Sequence, residues 1–237
     1  MGEKSGLTQM YSLTPLMLKD VFRLAAAFLV VGAIVFFSAG RLGWVEGWTM
    51  MGVLFVCVFV NLVVLGFLNP GVLVERMQHK HAAGWDKALM LAGVLLWLGA
   101  LVVAGLQERN VWAPRLPRWA VVAGLAAVVL GNVFFVWAAA VNRFFTRWVC
   151  VRQEVGHEVV REGPYRMVRH PGYLGWILIS LGIPPALGAA WAWAPMACVV
   201  ALIVVRTYIE DGLLRQDLPG YKDYCARTPH RLLPKVW

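Results

Sequence analysis

The sequence predicts an all-α, polytopic integral membrane protein with about six membrane helices. Three observations lead there. The 237-residue chain is 60% hydrophobic, only 15% charged, and has a mean hydropathy of +0.66, more apolar than a soluble domain with a water-facing surface. Its apolar residues gather in uncharged stretches of the length that crosses a hydrocarbon core, about 20 residues at a helical rise of ~1.5 Å each. Its basic residues also separate by side once those stretches are threaded through a bilayer.

The first four spans cover residues 24–40, 48–68, 88–106 and 119–141, each bounded by charge or by Pro and Gly. Asn61, Asn69 and Asn132 lie inside or at the end of these spans, and their expected role is hydrogen bonding between helices. Residues 142–170 hold Arg143, Arg147, Arg152, Glu154, Glu158, Arg161, Glu162, Arg166 and Arg169, too many charges to lie in lipid. Apolar character resumes over 173–205, interrupted by Pro184, Pro185, Gly188 and Pro195, so this region reads as two helices joined by a tight turn. Its first arm is short for a crossing, leaving a tilted helix or a hairpin that enters without crossing as alternatives. A polar tail, including a tail helix, follows from Tyr208. The chain therefore divides into membrane helices over 1–140 and a core over 141–237 that carries the chemistry.

Six passages with the N-terminus in the cytoplasm put all but four of the 22 lysines and arginines inside, the exceptions being Arg41, Arg109, Arg115 and Arg118. Both termini and the polar segment are then cytoplasmic. The net charge of +9 is accounted for by insertion bias and anionic lipid headgroups, and no nucleic-acid-binding motif is visible. The first span reads as an anchor, since no small-residue cleavage site follows a short apolar core. The four cysteines lack metal-like spacing, and His79-x-His81 has no third ligand nearby, so no metal is expected.

The stretch VRQEVGHEVVREGPYRMVRHPGYLGW collects Gln153, His157, Glu158, Tyr165, His170 and Tyr173 beside the membrane, with Gly163-Pro164 turning the chain. Pro171 suits the first position of a helix, which makes His170 the helix entrance, and the backbone N–H groups of such an end favour an anionic group. In the tail, Arg206 and Glu210 are four apart and share one helical face, with Asp211 beside them. They read either as an exposed ion pair or as a cation and a carboxylate projecting over a pocket at the membrane surface.

The motifs NRFF, VRQ, GHEVVREGPY and RHPGYLGW, followed across a helical hairpin by RTYIEDGLL and GYKDYCARTPHRLLP, resemble the isoprenylcysteine carboxyl methyltransferase family, itself similar to phospholipid N-methyltransferases. The resemblance covers about the last hundred residues. It implies an S-adenosylmethionine-dependent methyltransferase without a soluble Rossmann domain. No strand followed by a Gly-rich fingerprint occurs in the sequence. By position the resemblance implies cofactor contacts from Gln153, from His157, Glu158, Val159 and Val160, from Tyr165, and from His170, Pro171, Gly172 and Tyr173. Glu210 would close the cofactor site from the tail side, and Arg206 would meet the substrate, so these two carry the catalytic assignment. The acceptor would be a lipophilic or small molecule, with membrane lipids as surroundings. Two other readings remain open: an enzyme similar to NADPH-dependent sterol or steroid reductases, which also carry an HP-x-Y-x-G element, and a non-enzymatic membrane accessory protein.

Overall fold

The computed structural model describes residues 22–72, 83–151, 156–234 and 236–237. Gln153, His79 and His81 lie outside the described residues. The described residues are helical with no strand. In chain order the helices are α1 (Phe22–Ala39), α2 (Val45–Leu68), α3 (Gly84–Asn110), α4 (Arg118–Val141), α5 (Pro171–Ala186), α6 (Trp193–Asp217) and the short α7 (Tyr221–Arg227).

Among the described residues five helices, α1 to α4 and a stretch ending with α6 (Ala190–Asp217), are long and apolar enough to cross a membrane. Most residues of each span are not buried inside the protein, and residues such as Phe37 and Phe67 are almost fully exposed. Water would not tolerate such a continuous apolar surface, but lipid does. The sixth predicted passage, α5, has only 16 residues and spans about 24 Å. It nevertheless runs along α4 to the far end of the bundle, where the N–H of Leu116 donates to the Gly188 carbonyl at 3.3 Å. The stop between α5 and α6 is a glycine rather than the prolines. Pro184 and Pro185 remain inside α5, while Gly188 takes φ +66° and its N–H and that of Ala189 close on the carbonyls of Pro185 and Pro184.

Glycines allow α5 to lie against α4. Gly131 faces Gly175 and, two turns along, Gly124 faces Gly182, each pair leaving no room for a side chain. The three asparagines act between helices and at helix ends as expected. Asn61 Nδ2 donates to Asn132 Oδ1 at 2.7 Å, and Asn69 Nδ2 donates to the carbonyls of Ala139 and Asn142 at 2.9 and 3.0 Å.

The two ends of the bundle differ in character. At one end Arg41 and Arg115 both pair with Glu108, close to Arg109 and Arg118, so the four basic residues set apart by the sequence share that end. At the other end the 142–170 segment folds over the bundle and is held by the tail, with the N–H groups of Arg169 and His170 donating to the carbonyls of His230 and Arg231 at 2.9 and 3.0 Å. With Gly175 set against Gly131, α4 continues ten residues past that contact while α5 begins only four residues before it, so the first turn of α5 begins below the level where α4 ends. Irregular backbone at such depth is tolerated when protein surrounds it.

Candidate active site

A cavity of about 980 Å3 opens where the 142–170 segment, α5 and α6 meet. Its polar end is lined by His170, Tyr173, Arg206 and Glu210, and an apolar arm runs on between α1, α3 and α6 past Val31, Gly93, Trp97 and Ile203. The described residues predicted for the site all line this one cavity: His157, Glu158, Val159, Val160, Tyr165, His170, Pro171, Gly172, Tyr173, Arg206 and Glu210.

The helix entrance lies at His170 as predicted. His170 is the N-cap and Pro171 the first residue of α5, and the N–H groups of Tyr173 and Leu174 both close on the His170 carbonyl at 3.1 Å. Gly172 lies under the Phe145 ring, where an added Cβ would come within 2.9 Å. The His170 ring stacks on Tyr173 with centroids 5.8 Å apart and planes 21° apart. Its Nδ1 lies 3.8 Å from Glu210 Oε1, and the Tyr173 hydroxyl donates to Glu210 Oε2.

The acidic pair separates into two roles because consecutive residues on a helix point about 100° apart. Glu210 faces the cavity. Asp211 is fully buried on the adjoining face, where Oδ1 accepts from Arg169 Nε at 2.8 Å and Tyr221 at 3.0 Å, and Oδ2 accepts from Arg215 at 3.1 Å and Arg231 at 2.9 Å. Arg169 is buried as well and donates through Nη1 to the carbonyls of Thr228 and Pro229. Asp211 thus ties the tail and the 142–170 segment to α6, directly behind His170, whose Nε2 is 3.4 Å away.

Arg206 finds its carboxylate outside its own helix. Its Nε and Nη2 fork onto Asp86 of α3 at 2.8 and 3.2 Å, and Nη2 also donates to the Arg147 carbonyl at 2.6 Å. The guanidinium lies 5.4 Å from the centre of the Tyr173 ring. Asp86 is completely buried and was not among the predicted site residues. The signal available was a single acid in the first turn of an apolar helix, a position that ordinarily reads as a helix-dipole contact.

The remaining predicted residues vary in exposure. Tyr165 is buried, receives Asn142 Nδ2 at 3.0 Å on its hydroxyl, and has its phenol pushed up by burial. Val159 and Val160 pack beside it with Leu218, Tyr221 and Tyr224. His157 lies against the Phe144 ring at 4.6 Å, and Glu158 is largely exposed and paired with Arg143. Among the described residues no cluster of potential metal ligands occurs.

Residues 122–216 match the model of the isoprenylcysteine carboxyl methyltransferase (ICMT) family. The chain is 29% identical over 148 residues to protein-S-isoprenylcysteine O-methyltransferase B of Arabidopsis thaliana, covering 59% of this chain and 69% of that one. It is 31% identical over 85 residues to the mouse delta(14)-sterol reductase TM7SF2, covering 35% of this chain and 20% of that one. The solved structure of a eukaryotic intramembrane Ras methyltransferase, isoprenylcysteine carboxyl methyltransferase, shares the fold, with a TM-score of 0.52 and 18% identity over 97% of this chain and 90% of that one. The match spans α4, the loop, α5 and α6, the elements that build the polar end of the cavity, so that over residues 122–216 the chain is similar to the isoprenylcysteine carboxyl methyltransferase family.

Proposed function

We propose that the protein is an S-adenosylmethionine-dependent methyltransferase acting on a lipophilic acceptor with a free carboxylate, such as an S-prenylated cysteine. The observation that carries this reading is the two-part cavity, polar at His170, Tyr173, Arg206 and Glu210 and apolar along α1, α3 and α6. Its volume is at the upper limit of the roughly 300–1,000 Å3 usual for small-molecule sites. That leaves room for a cofactor at one end and a hydrocarbon chain at the other.

The residues at the polar end fit a zwitterionic sulfonium cofactor. Glu210 offers an acceptor for an ammonium group, the first turn of α5 suits a carboxylate, and the rings of Tyr165, His170 and Tyr173 form aromatic walls for a cation or a base. When bound, S-adenosylmethionine would supply an electrophilic methyl group. Arg206 would hold the acceptor carboxylate in line, and the surrounding apolar side chains would exclude water, so that positioning supplies most of the rate. A carboxylate acceptor has no proton to lose, so no base is required. The core over 141–237 would do this chemistry from the cytoplasmic side, while α1 and α3, together with α6, form the wall of the arm.

Two measurements on detergent-solubilised protein test the reading. Binding of labelled S-adenosylmethionine and methyl transfer to a farnesylated cysteine analogue are expected. Absence of cofactor binding would overturn the proposal. The element His170-Pro171-Gly172-Tyr173-Leu174-Gly175, with the sterol reductase similarity, favours a second reading as a reductase. Binding of reduced nicotinamide cofactor in place of S-adenosylmethionine would establish it.

A further inference from the structure

We infer that Asp86, on a helix outside the matched family region, is a positioning residue that sets Arg206 for its acceptor; this rests on the methyltransferase reading above.

The carboxylate of Asp86 makes a closed ring of contacts. Its two oxygens take the Arg206 fork, Oδ2 also accepts the N–H of Val149 at 2.9 Å, and the same Arg206 Nη2 reaches the Arg147 carbonyl two residues back from Val149. One buried acid therefore joins α3, the segment after α4 and α6. Arg147, Val149 and Arg206 all line the cavity. The fork uses Nε and Nη2 of Arg206, so the guanidinium plane is fixed while Nη1 makes none of these bonds. A bidentate Arg–carboxylate pair holds orientation far better than a single contact.

The charge balance matters as much as the geometry. Arg206 is 12% exposed and Asp86 not at all, so neither charge could be buried there alone at modest cost. Paired, they present a neutral unit whose remaining donor meets an anion with direction but without the full attraction of an isolated cation. That suits a site that must bind a carboxylate and then release its neutral ester. From Arg206 the arrangement continues through the Tyr173 ring to Glu210, and so joins the acceptor side of the cavity to the proposed cofactor side.

The experiment compares the full-length wild type with Asp86→Asn, Asp86→Glu, Arg206→Ala and the double variant Asp86→Asn/Arg206→Ala. Each is measured for S-adenosylmethionine Kd and for kcat and KM with a farnesylated cysteine analogue. Asp86→Asn is expected to lower kcat/KM for the acceptor at least tenfold while leaving the cofactor Kd within about twofold. Asp86→Glu should recover part of the loss, and the double variant should match Arg206→Ala alone, because Asp86 acts through Arg206. If the Asp86→Asn and Arg206→Ala losses multiply in the double variant, or if cofactor affinity falls as much as acceptor turnover, Asp86 is only a structural residue and the inference is wrong. Active wild type with unaltered Asp86→Asn overturns the inference alone. Wild type that binds no S-adenosylmethionine overturns the functional reading and this inference with it.

Discussion

Gly131 on α4 and Gly175 on α5 face each other so closely that a Cβ on either would lie 2.5 Å from the other's carbonyl oxygen. With Gly124 and Gly182 repeating the contact, the backbone of α4 itself forms the surface on which α5 rests. The start of α5, and with it His170 and Tyr173, is placed by that seat.

Gly131→Ala and Gly175→Ala are therefore expected to destabilise the protein, each by about 1–3 kcal/mol, the range typical of overpacking. A thermal unfolding series in detergent measures this as a lowered Tm. Gly52→Ala, where an added Cβ meets nothing within 4 Å, is the control and should be neutral or slightly stabilising. Equal Tm values for all three would contradict the close seating of α5.

Glu210 shares its carboxylate between Tyr173 and the ring of His170 on the cavity wall. Glu210→Gln should weaken S-adenosylmethionine binding at least tenfold, and Tyr173→Phe by a smaller factor, with melting temperatures close to wild type. Equilibrium binding of labelled cofactor measures both. Unchanged affinity in Glu210→Gln would remove Glu210 from the cofactor site.

Asp211 and Glu158 are both acids in ion pairs, yet they should behave very differently. Asp211→Asn leaves the buried Arg169 without its carboxylate and should cost about 3–5 kcal/mol. Glu158→Gln breaks a pair whose side chains are both about two-thirds exposed, and should change stability by less than ~1 kcal/mol. Chemical denaturation of the two variants measures the contrast; a large loss in Glu158→Gln would be unexpected.

Burial pushes the phenols of Tyr165, Tyr221 and Tyr224 upward, and for Tyr221 the nearby Asp211 carboxylate adds to it. A raised folded-state value means the native protein keeps these protons while the unfolded chain loses them near pH 10. Their stabilisation is complete below that pH and declines as pH rises above it. Stability should thus drop steeply on the alkaline side, and an absorbance titration should show these three phenols ionising only on unfolding. Tyr221→Phe should flatten the alkaline decline. Reversible ionisation of all the tyrosines in the folded protein near pH 10 would count against the burial described.

Much of the lining of the cavity could be read in advance. The described members of both motif blocks do line one cavity, because each block is local: a turn at Gly163-Pro164, a helix start at Pro171, and a four-residue spacing that puts Arg206 and Glu210 on one face. The differences arise from long-range partners. The ion pair of Arg206 is with Asp86, 120 residues away, and Asp211, read as the neighbour of Glu210, is the buried anchor of the tail. Residue spacing does not reveal which element packs behind a helix.

The membrane class, the first four apolar passages and the division of basic residues between two ends follow from the sequence alone, because hydropathy and charge act residue by residue against the solvent. The tertiary structure decided how deep α5 begins, that Gly188 rather than Pro184 ends it, and that Asp86 faces Arg206. Those outcomes depend on the close contact of glycines on two helices and on the search of buried charges for partners. Both are properties of packed surfaces, which come into being only when distant segments meet.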